Sequence, residues 1–307
     1  MRRVCLEMVH QLARSQRQVI FIGSDLGSGT LQAMQKELPE QFFMEGIAEQ
    51  NLIGVAAGMA MEGYIPYVNT IATFITRRCL EQIAVDLCLP NLPVRLIANG
   101  GGLVYAPLGP THTTQEDIAL LRALPNMTIV APADAPEMTR LMEQTVDWPG
   151  PIYIRLAKGG DPLVSRQEDG FRIGQAICLR QGTDVLLLSY GVMVQRSLQT
   201  AALLAEQGIS CAVYNCHTLK PLDSSLLSVM AAARLVVTAE EHSLIGGLGS
   251  AVLEMLMDAG LLKAVLRLGL PDQFPHRYGS QEQQLAGLGL DAEGMSQRIQ
   301  QRLAGLP

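Results

Sequence analysis

Charge is scarce in this sequence. Charged residues make up 17% of it, and 23 basic against 29 acidic residues leave a net charge of −6. That balance argues against a nucleic-acid or anionic-membrane surface as the main partner, because phosphate binding needs a basic stripe and none is present. No apolar run reaches the ~18 residues needed to cross a bilayer. Tyr190 and Gly191 interrupt even the strongest stretch, Val185–Val194. Paired cysteines are missing as well. Cys5, Cys79, Cys88, Cys178, Cys211 and Cys216 are scattered, with no Cys-x-x-Cys and no histidine at zinc spacing. They read as small buried hydrophobes in a reducing compartment. There is no short-period repeat and no low-complexity segment. Glu7 and His10 interrupt the N-terminal region before any signal-like apolar core forms, so the expectation is a soluble, cytoplasmic protein.

What is present is apolar. Hydrophobic residues make up 48% of 307 residues, enough for two domains and too much for a disordered chain. The low charge also implies that another chain covers part of the outer surface. Short β-rich runs alternate with longer helical ones, the pattern of parallel α/β layers. Strands are expected at Gln18–Gly23, Ile65–Ile71, Val94–Ala98, Met127–Ala131 and Ile152–Leu156, with helices at Ala48–Met61, Arg77–Leu89, Glu116–Leu124 and Ala135–Thr145. A polar, Gly/Asp-rich stretch, Lys158–Gly170, marks a boundary. A second set follows, with strands at Asp184–Tyr190, Ser210–Asn215, Arg234–Ala239 and Ala264–Gly269. Its helices are Met193–Gln207, Ser224–Ala232, Ser250–Asp258 and Ala292–Leu303. The fold class is α/β, two open α/β domains covering residues 1–165 and 166–307.

Three local features bear on function. Gly23-Ser24-Asp25-Leu26-Gly27-Ser28-Gly29-Thr30 follows the first strand but is neither Gly-x-Gly-x-x-Gly nor a P-loop. A plain strand-to-helix turn is therefore the simplest reading, although a site at the carboxyl edge of the sheet would lie there. Glu49 opens a helix whose Gly54, Ala56, Ala57, Gly58 and Ala60 leave almost no side-chain bulk. Those glycines cost about 1 kcal/mol each against alanine. Tight packing on the chain's own sheet, or close approach of a helix across a subunit interface, would explain them. An acid in a first helical turn suits the helix dipole; among apolar groups it also becomes a carboxyl able to share a proton. Asn99–Gln115 is a 17-residue loop shaped by Gly100-Gly101-Gly102 and Gly109-Pro110-Thr111-His112. Such a loop makes His112 an acid–base candidate.

Together these pieces resemble the transketolase family. Gly46-Ile47-Ala48-Glu49-Gln50-Asn51 followed by Ala56-Ala57-Gly58-Met59-Ala60 is similar to the pyrimidine-binding domain of transketolases and deoxyxylulose-phosphate synthases. So are Thr73-Phe74, Gly109-Pro110-Thr111-His112, Glu116-Asp117-Ile118-Ala119, Pro125-Asn126-Met127, Pro132-Ala133-Asp134-Ala135 and Gly150-Pro151. The second half adds Lys220-Pro221-Leu222-Asp223, Glu240-Glu241-His242 and Gly246-Gly247-Leu248-Gly249-Ser250. In order and extent the chain resembles the C-terminal half of a transketolase, of the kind encoded as a separate subunit.

The resemblance implies roles. Glu49 matches the glutamate that hydrogen-bonds N1′ of the thiamine diphosphate aminopyrimidine. Protonation there favours the 4′-imino tautomer, whose nitrogen removes the thiazolium C2 proton. Phe74 falls where an aromatic stacks on the pyrimidine, and Arg77, one helical turn on, falls at the cofactor or substrate edge as a further cofactor-binding residue. Asp25 matches a strand-end aspartate beside that site, and His112 a loop histidine facing the substrate. Arg155 falls where the family binds the substrate phosphate, for which its fork is suited; a surface ion pair is the plainer alternative. Glu240, Glu241 and His242 read as a structural network at a strand end.

Two departures stand out. Gly100 and Leu108 occupy loop positions where transketolases carry His and Asp, and the synthases' loop arginine is also missing. A modified or truncated sugar substrate is therefore expected. No Gly-Asp-Gly is present; the nearest string is Gly159-Gly160-Asp161. The Mg²⁺ that bridges the cofactor's diphosphate needs such hard oxygen ligands, so a partner subunit is expected to supply them, in an α2β2 heterotetramer. The alternatives are the β subunit of a 2-oxo-acid dehydrogenase E1 component and a non-catalytic supporting paralogue. The Gly-Pro-Thr-His loop speaks against the first and the retention of Glu49, Phe74 and His112 against the second.

Overall fold

The computed structural model describes residues 1–25, 29–157, 159–276 and 278–306. Leu26, Gly27 and Ser28 of the glycine-rich turn and Lys158 of the boundary stretch lie outside the described residues. Twelve strands run through the rest: β1 (Val19–Gly23), β2 (Phe42–Met44), β3 (Ile65–Ile71), β4 (Arg95–Asn99), β5 (Thr128–Val130), β6 (Ile152–Leu156), β7 (Ile177–Arg180), β8 (Val185–Ser189), β9 (Cys211–Asn215), β10 (Thr218–Lys220), β11 (Leu235–Ser243) and β12 (Val265–Leu270).

Continuous apolar runs predict strands covered on both faces, and β1, β4, β6 and β8 are buried at every position. They sit in two sheets, ordered β10-β5-β6-β4-β3-β1-β2 and β12-β11-β8-β9-β7. Pairing is parallel except for β10 on β5 and β7 on β9. The two α/β layers expected from the sequence are therefore present. β2, β7, β10 and the helices Arg2–Ser15, Gln32–Glu37 and Gln281–Gly287 add to them without having announced themselves. β10 lies far along the chain yet completes the first sheet, with Thr218 opposite Val130 and Lys220 opposite Ile129. A single apolar cluster runs from Ile20 and Leu52 through Leu121 to Leu186 and Val252, so both sheets share a core.

The helix expected over Arg77–Leu89 is broken in the structure. One helix covers Ala72–Arg77, the chain bends at Cys79 (φ −119°, ψ 13°), and a turn of helix at Leu80–Gln82 leads into a π-type stretch, Ile83–Cys88. This break puts Phe74 and Arg77 on a short helix of their own. The helix Glu49–Met61 buries Leu52, Ile53, Ala56, Ala57 and Ala60. Gly54 and Gly58 face outward, and a Cβ built on either would meet nothing within 4 Å. Packing within the chain therefore does not account for them. Ile47 and Met61, just before and at the end of this helix, and Val85 and Leu89 are also exposed. Among the described residues no helix is long and apolar enough to cross a membrane. The six cysteines are free, and burial pushes the Cys5 thiol up to about 12.

Candidate active site

Because β1, β3 and β4 are parallel neighbours, their carboxyl ends open on one edge. Beyond β1 come Ser24 and Asp25; beyond β3, the helix Ala72–Arg77; beyond β4, the loop that carries His112. Glu49 begins the helix that follows the neighbouring strand β2. The topology thus gathers residues spread over nearly ninety positions, as expected at the carboxyl edge of an open α/β sheet.

Glu49 is 2% exposed. Its Oε2 accepts a 2.7 Å bond from Arg78 Nη1, and its Oε1 lies 3.4 Å from the Thr70 hydroxyl that donates to it. The Ser24 hydroxyl stands 3.0 Å from Thr70 Oγ1 and 2.9 Å from Asp25 Oδ1, and its one proton serves one of them at a time. On the other side, the Arg78 guanidinium lies 4.3 Å from the centroid of the Phe74 ring. The His112 ring meets the same phenyl edge-on at 5.3 Å. Asp25, Glu49, Phe74 and His112 therefore form one continuous set of contacts. Arg77 faces away from Glu49 and forks onto Glu116, with Nη2 3.0 Å from Oε2.

The loop carrying His112 is held down firmly. Gly102 and Thr114 form an antiparallel bridge, and Leu103 N donates to Glu241 Oε1 at 2.6 Å. A Cβ at Gly101 would fall 2.6 Å from Arg155 Nε, and one at Gly102 2.5 Å from the Glu241 carboxyl carbon. Those glycines let the loop lie directly on the charged groups beneath it.

Arg155, expected at a substrate-phosphate site, is one of those groups. Its side chain is 6% exposed and Asp117 is fully buried. Arg155 Nε donates to Asp117 Oδ2 at 2.7 Å, and Nη2 reaches Asp117 Oδ1 and the carbonyls of Thr114 and Glu241. Tyr153 adds a 2.7 Å bond to Asp117 Oδ2. Burial works to raise the Asp117 carboxyl, but the Arg155 guanidinium holds it below the ordinary value. This fork is already taken by a carboxylate and two carbonyls, so Arg155 serves the seam between the domains. The neighbouring Glu240, Glu241 and His242 form the structural network expected of them. Glu240 caps the helix Leu248–Asp258 through Leu248 N and Gly249 N at 2.7 and 2.9 Å, and Glu241 also takes Gln281 Nε2. Burial raises both carboxyls.

Sequence reasoning missed Arg78 and Thr70. A signal for Arg78 existed: it follows Phe74 by four positions, the spacing that puts two residues on one helical face. Thr70 carried none, since an inward threonine in a strand is ordinary.

Residues 1–160 match the transketolase pyrimidine-binding domain and residues 174–295 the transketolase C-terminal domain. The chain is 43% identical over 295 residues to 1-deoxy-D-xylulose-5-phosphate synthase of Synechococcus sp. (strain JA-2-3B'a(2-13)), covering 94% of this chain and 45% of that protein. It is 40% identical over 307 residues to the synthase of Thermosynechococcus vestitus, covering 98% and 48%. The chain thus spans less than half the length of these relatives. Its structure superposes on a split-gene transketolase described as an inactive β4 tetramer with a TM-score of 0.91 at 36% identity, covering 99% and 98% of the two chains. A transketolase from Pichia stipitis shares the fold at a TM-score of 0.82 and 18% identity, this chain covering 45% of it. With both domain matches in order and the site at the sheet edge, the chain belongs to the transketolase family.

Proposed function

We propose that this chain is one subunit of a split thiamine-diphosphate-dependent transketolase. It moves a two-carbon ketol unit from a ketose phosphate to an aldehyde acceptor. The observation that carries this reading is the buried Glu49 carboxylate joined through Arg78 to the Phe74 ring, with His112 on the same ring. The chemistry of this set fits the pyrimidine end of the cofactor. It already holds a planar, nitrogen-rich group, the Arg78 guanidinium, by one face and one edge.

When bound, thiamine diphosphate supplies the nucleophilic carbon and electron sink that let a two-carbon fragment pass between carbonyl groups. In this reading Phe74 offers the stacking face, and Glu49 holds a proton at the pyrimidine ring nitrogen. Asp25 lines the adjoining strand end. His112 moves a proton at the reacting carbonyl or hydroxyl oxygen. Arg77, tied to Glu116, orders the loop around that histidine.

Nothing in these 307 residues carries the Gly-Asp-Gly that would hold Mg²⁺ and the diphosphate. In this reading a separate Gly-Asp-Gly-bearing subunit supplies it, in an α2β2 assembly located in the cytoplasm. The outward Gly54–Gly58 face, with exposed Ile47 just before its helix and exposed Met61 at the end of it, is a suitable surface for such a partner. Co-expression with a Gly-Asp-Gly-bearing subunit is expected to give thiamine-diphosphate-dependent ketol transfer that the chain alone lacks. Full activity of the chain alone would overturn the split site.

The identity to the synthases favours a second reading, in which the same half-site forms 1-deoxy-D-xylulose 5-phosphate. Identification of the product by mass spectrometry separates the two, because the synthase product lacks the hydroxyl at C1.

A further inference from the structure

Arg78 is a poor choice for a purely structural ion pair. Its side chain is 44% exposed while its partner Glu49 is 2% exposed, so it reaches inward from the rim to a carboxylate that the fold has already buried. It makes two contacts there. Nη1 donates to Glu49 Oε2 at 2.7 Å, and the guanidinium plane lies 4.3 Å from the Phe74 centroid. Those are the carboxylate and the aromatic face that the proposed function assigns to an aminopyrimidine. The two groups share one shape: each is flat, donates N–H bonds from its edge and carries a positive or protonatable amidine-like system.

We infer that Arg78 is a self-ligand, filling the pyrimidine subsite of the unloaded chain and withdrawing into solvent when the cofactor enters. The inference rests on the cofactor reading of Glu49 and Phe74. Its physical sense is twofold. An unpaired carboxylate at 2% exposure would be costly before loading, and Arg78 satisfies it. The side chain is also long and half in water, so it has somewhere to go. A residue of the helix interior, such as Thr76 or Ile75, could do neither.

Competition of this kind lowers the apparent affinity by the fraction of chains in which the subsite is open. Removing the competitor should therefore tighten binding. The test is calorimetric titration of thiamine diphosphate, with Mg²⁺ present, into the assembly formed with the Gly-Asp-Gly-bearing subunit. Wild type is compared with Arg78→Ala and Arg78→Lys. Arg78→Ala is expected to bind about tenfold tighter, a change of about 1.4 kcal/mol. Arg78→Lys keeps the charge pair but loses the flat face, and should fall between the two. A thermal melt adds a second readout. Without cofactor Arg78→Ala should melt lower than wild type, because Glu49 is left unpaired, and saturating cofactor should close that gap.

Unchanged affinity in Arg78→Ala would mean that its contacts do not compete, and weaker binding would make Arg78 a contact of the bound cofactor. Either result overturns the inference while leaving the cofactor reading intact. Absence of binding by the wild-type assembly would overturn the cofactor reading, and the inference with it.

Discussion

Two arginine–carboxylate clusters lie on either side of the loop Asn99–Gln115, and they behave as opposites. In the seam between the domains, Arg155 and Asp117 are 6% and 0% exposed, and Tyr153, Thr114 and Glu241 complete their hydrogen bonds. At the sheet edge Glu49 is equally buried, but its cation is Arg78, 44% exposed. A buried charge with every partner built in is architecture, since desolvation makes any vacancy costly. In the cofactor reading proposed above, a buried charge whose counter-ion reaches in from the rim is a binding site held in reserve. Sequence alone makes both look like motif residues; burial of the partner tells them apart.

The sharpest way to break this comparison is to remove each carboxylate. Glu49→Ala in the assembled enzyme is expected to lower kcat by about 10²–10⁴-fold, the range for losing a proton-transfer group, with the melting temperature nearly unchanged. Steady-state ketol transfer and a thermal melt check both halves. A variant that unfolds instead would put Glu49 with the seam.

Asp117→Asn should do the reverse. It leaves the Arg155 guanidinium buried beside a neutral group, which costs about 3–5 kcal/mol. Urea denaturation of the chain measures that loss directly. Arg77→Ala, which breaks the half-exposed pair with Glu116, should cost under about 1 kcal/mol in the same experiment. If Arg155→Leu left stability intact and only raised KM for a phosphorylated substrate, the expectation from the family pattern would be right and the seam assignment wrong.

The strands and most helices were legible because apolar runs of five to seven residues specify buried strands with little ambiguity. β10 was not: three residues carry no periodicity, and Thr218–Lys220 becomes a strand only because β5 offers a free edge. The break after Arg77 was hidden because Thr76 and Arg78 are ordinary helix residues. In the site, Glu49, Phe74 and His112 stood out as parts of short motifs. The pairing of Arg155 was not legible because its partner Asp117 lies 38 positions away, a separation no local pattern can report. Arg78 was overlooked beside the more familiar Arg77.

The seam also titrates, and that sharpens its contrast with the open site. Burial pushes the Glu137 carboxyl up to about 7, against its hydrogen bonds from Ala133 N and Asn215 Nδ2. With a folded value above the unfolded value of 4.5, the native state holds the proton more tightly. Stability from this group is therefore full below about pH 4.5 and lost as pH rises to 7. Glu137→Gln mimics the protonated form, and a turn of the Asn215 amide presents Oδ1, otherwise unpartnered, to the new donor. The variant should match wild type at low pH and exceed it by about 3 kcal/mol at pH 8, read from urea unfolding at each pH. Burial pulls His217 down to about 4, so its contribution runs the other way, falling as pH drops from 6.5 to 4.

The smallest expected effect lies on the loop between the two clusters. Leu108 is 55% exposed in the turn Ala106–Leu108, four positions before His112, whose ring rests on Phe74. Its side chain buries little, so Leu108→Asp should change stability by no more than about 0.5 kcal/mol. The loop's near end is fixed to the seam by Leu103 N on Glu241, which keeps its tip from drifting when one exposed side chain changes. A carboxylate at position 108 would then stand beside the acceptor and could accept bonds from sugar hydroxyls. The ratio of kcat/KM for an ordinary phosphosugar acceptor to that for a truncated aldehyde should rise, by up to about tenfold for one added hydrogen bond. If both values fell together, position 108 would be acting through the placement of His112. If the ratio stayed constant with both values intact, acceptor choice would reside outside this loop.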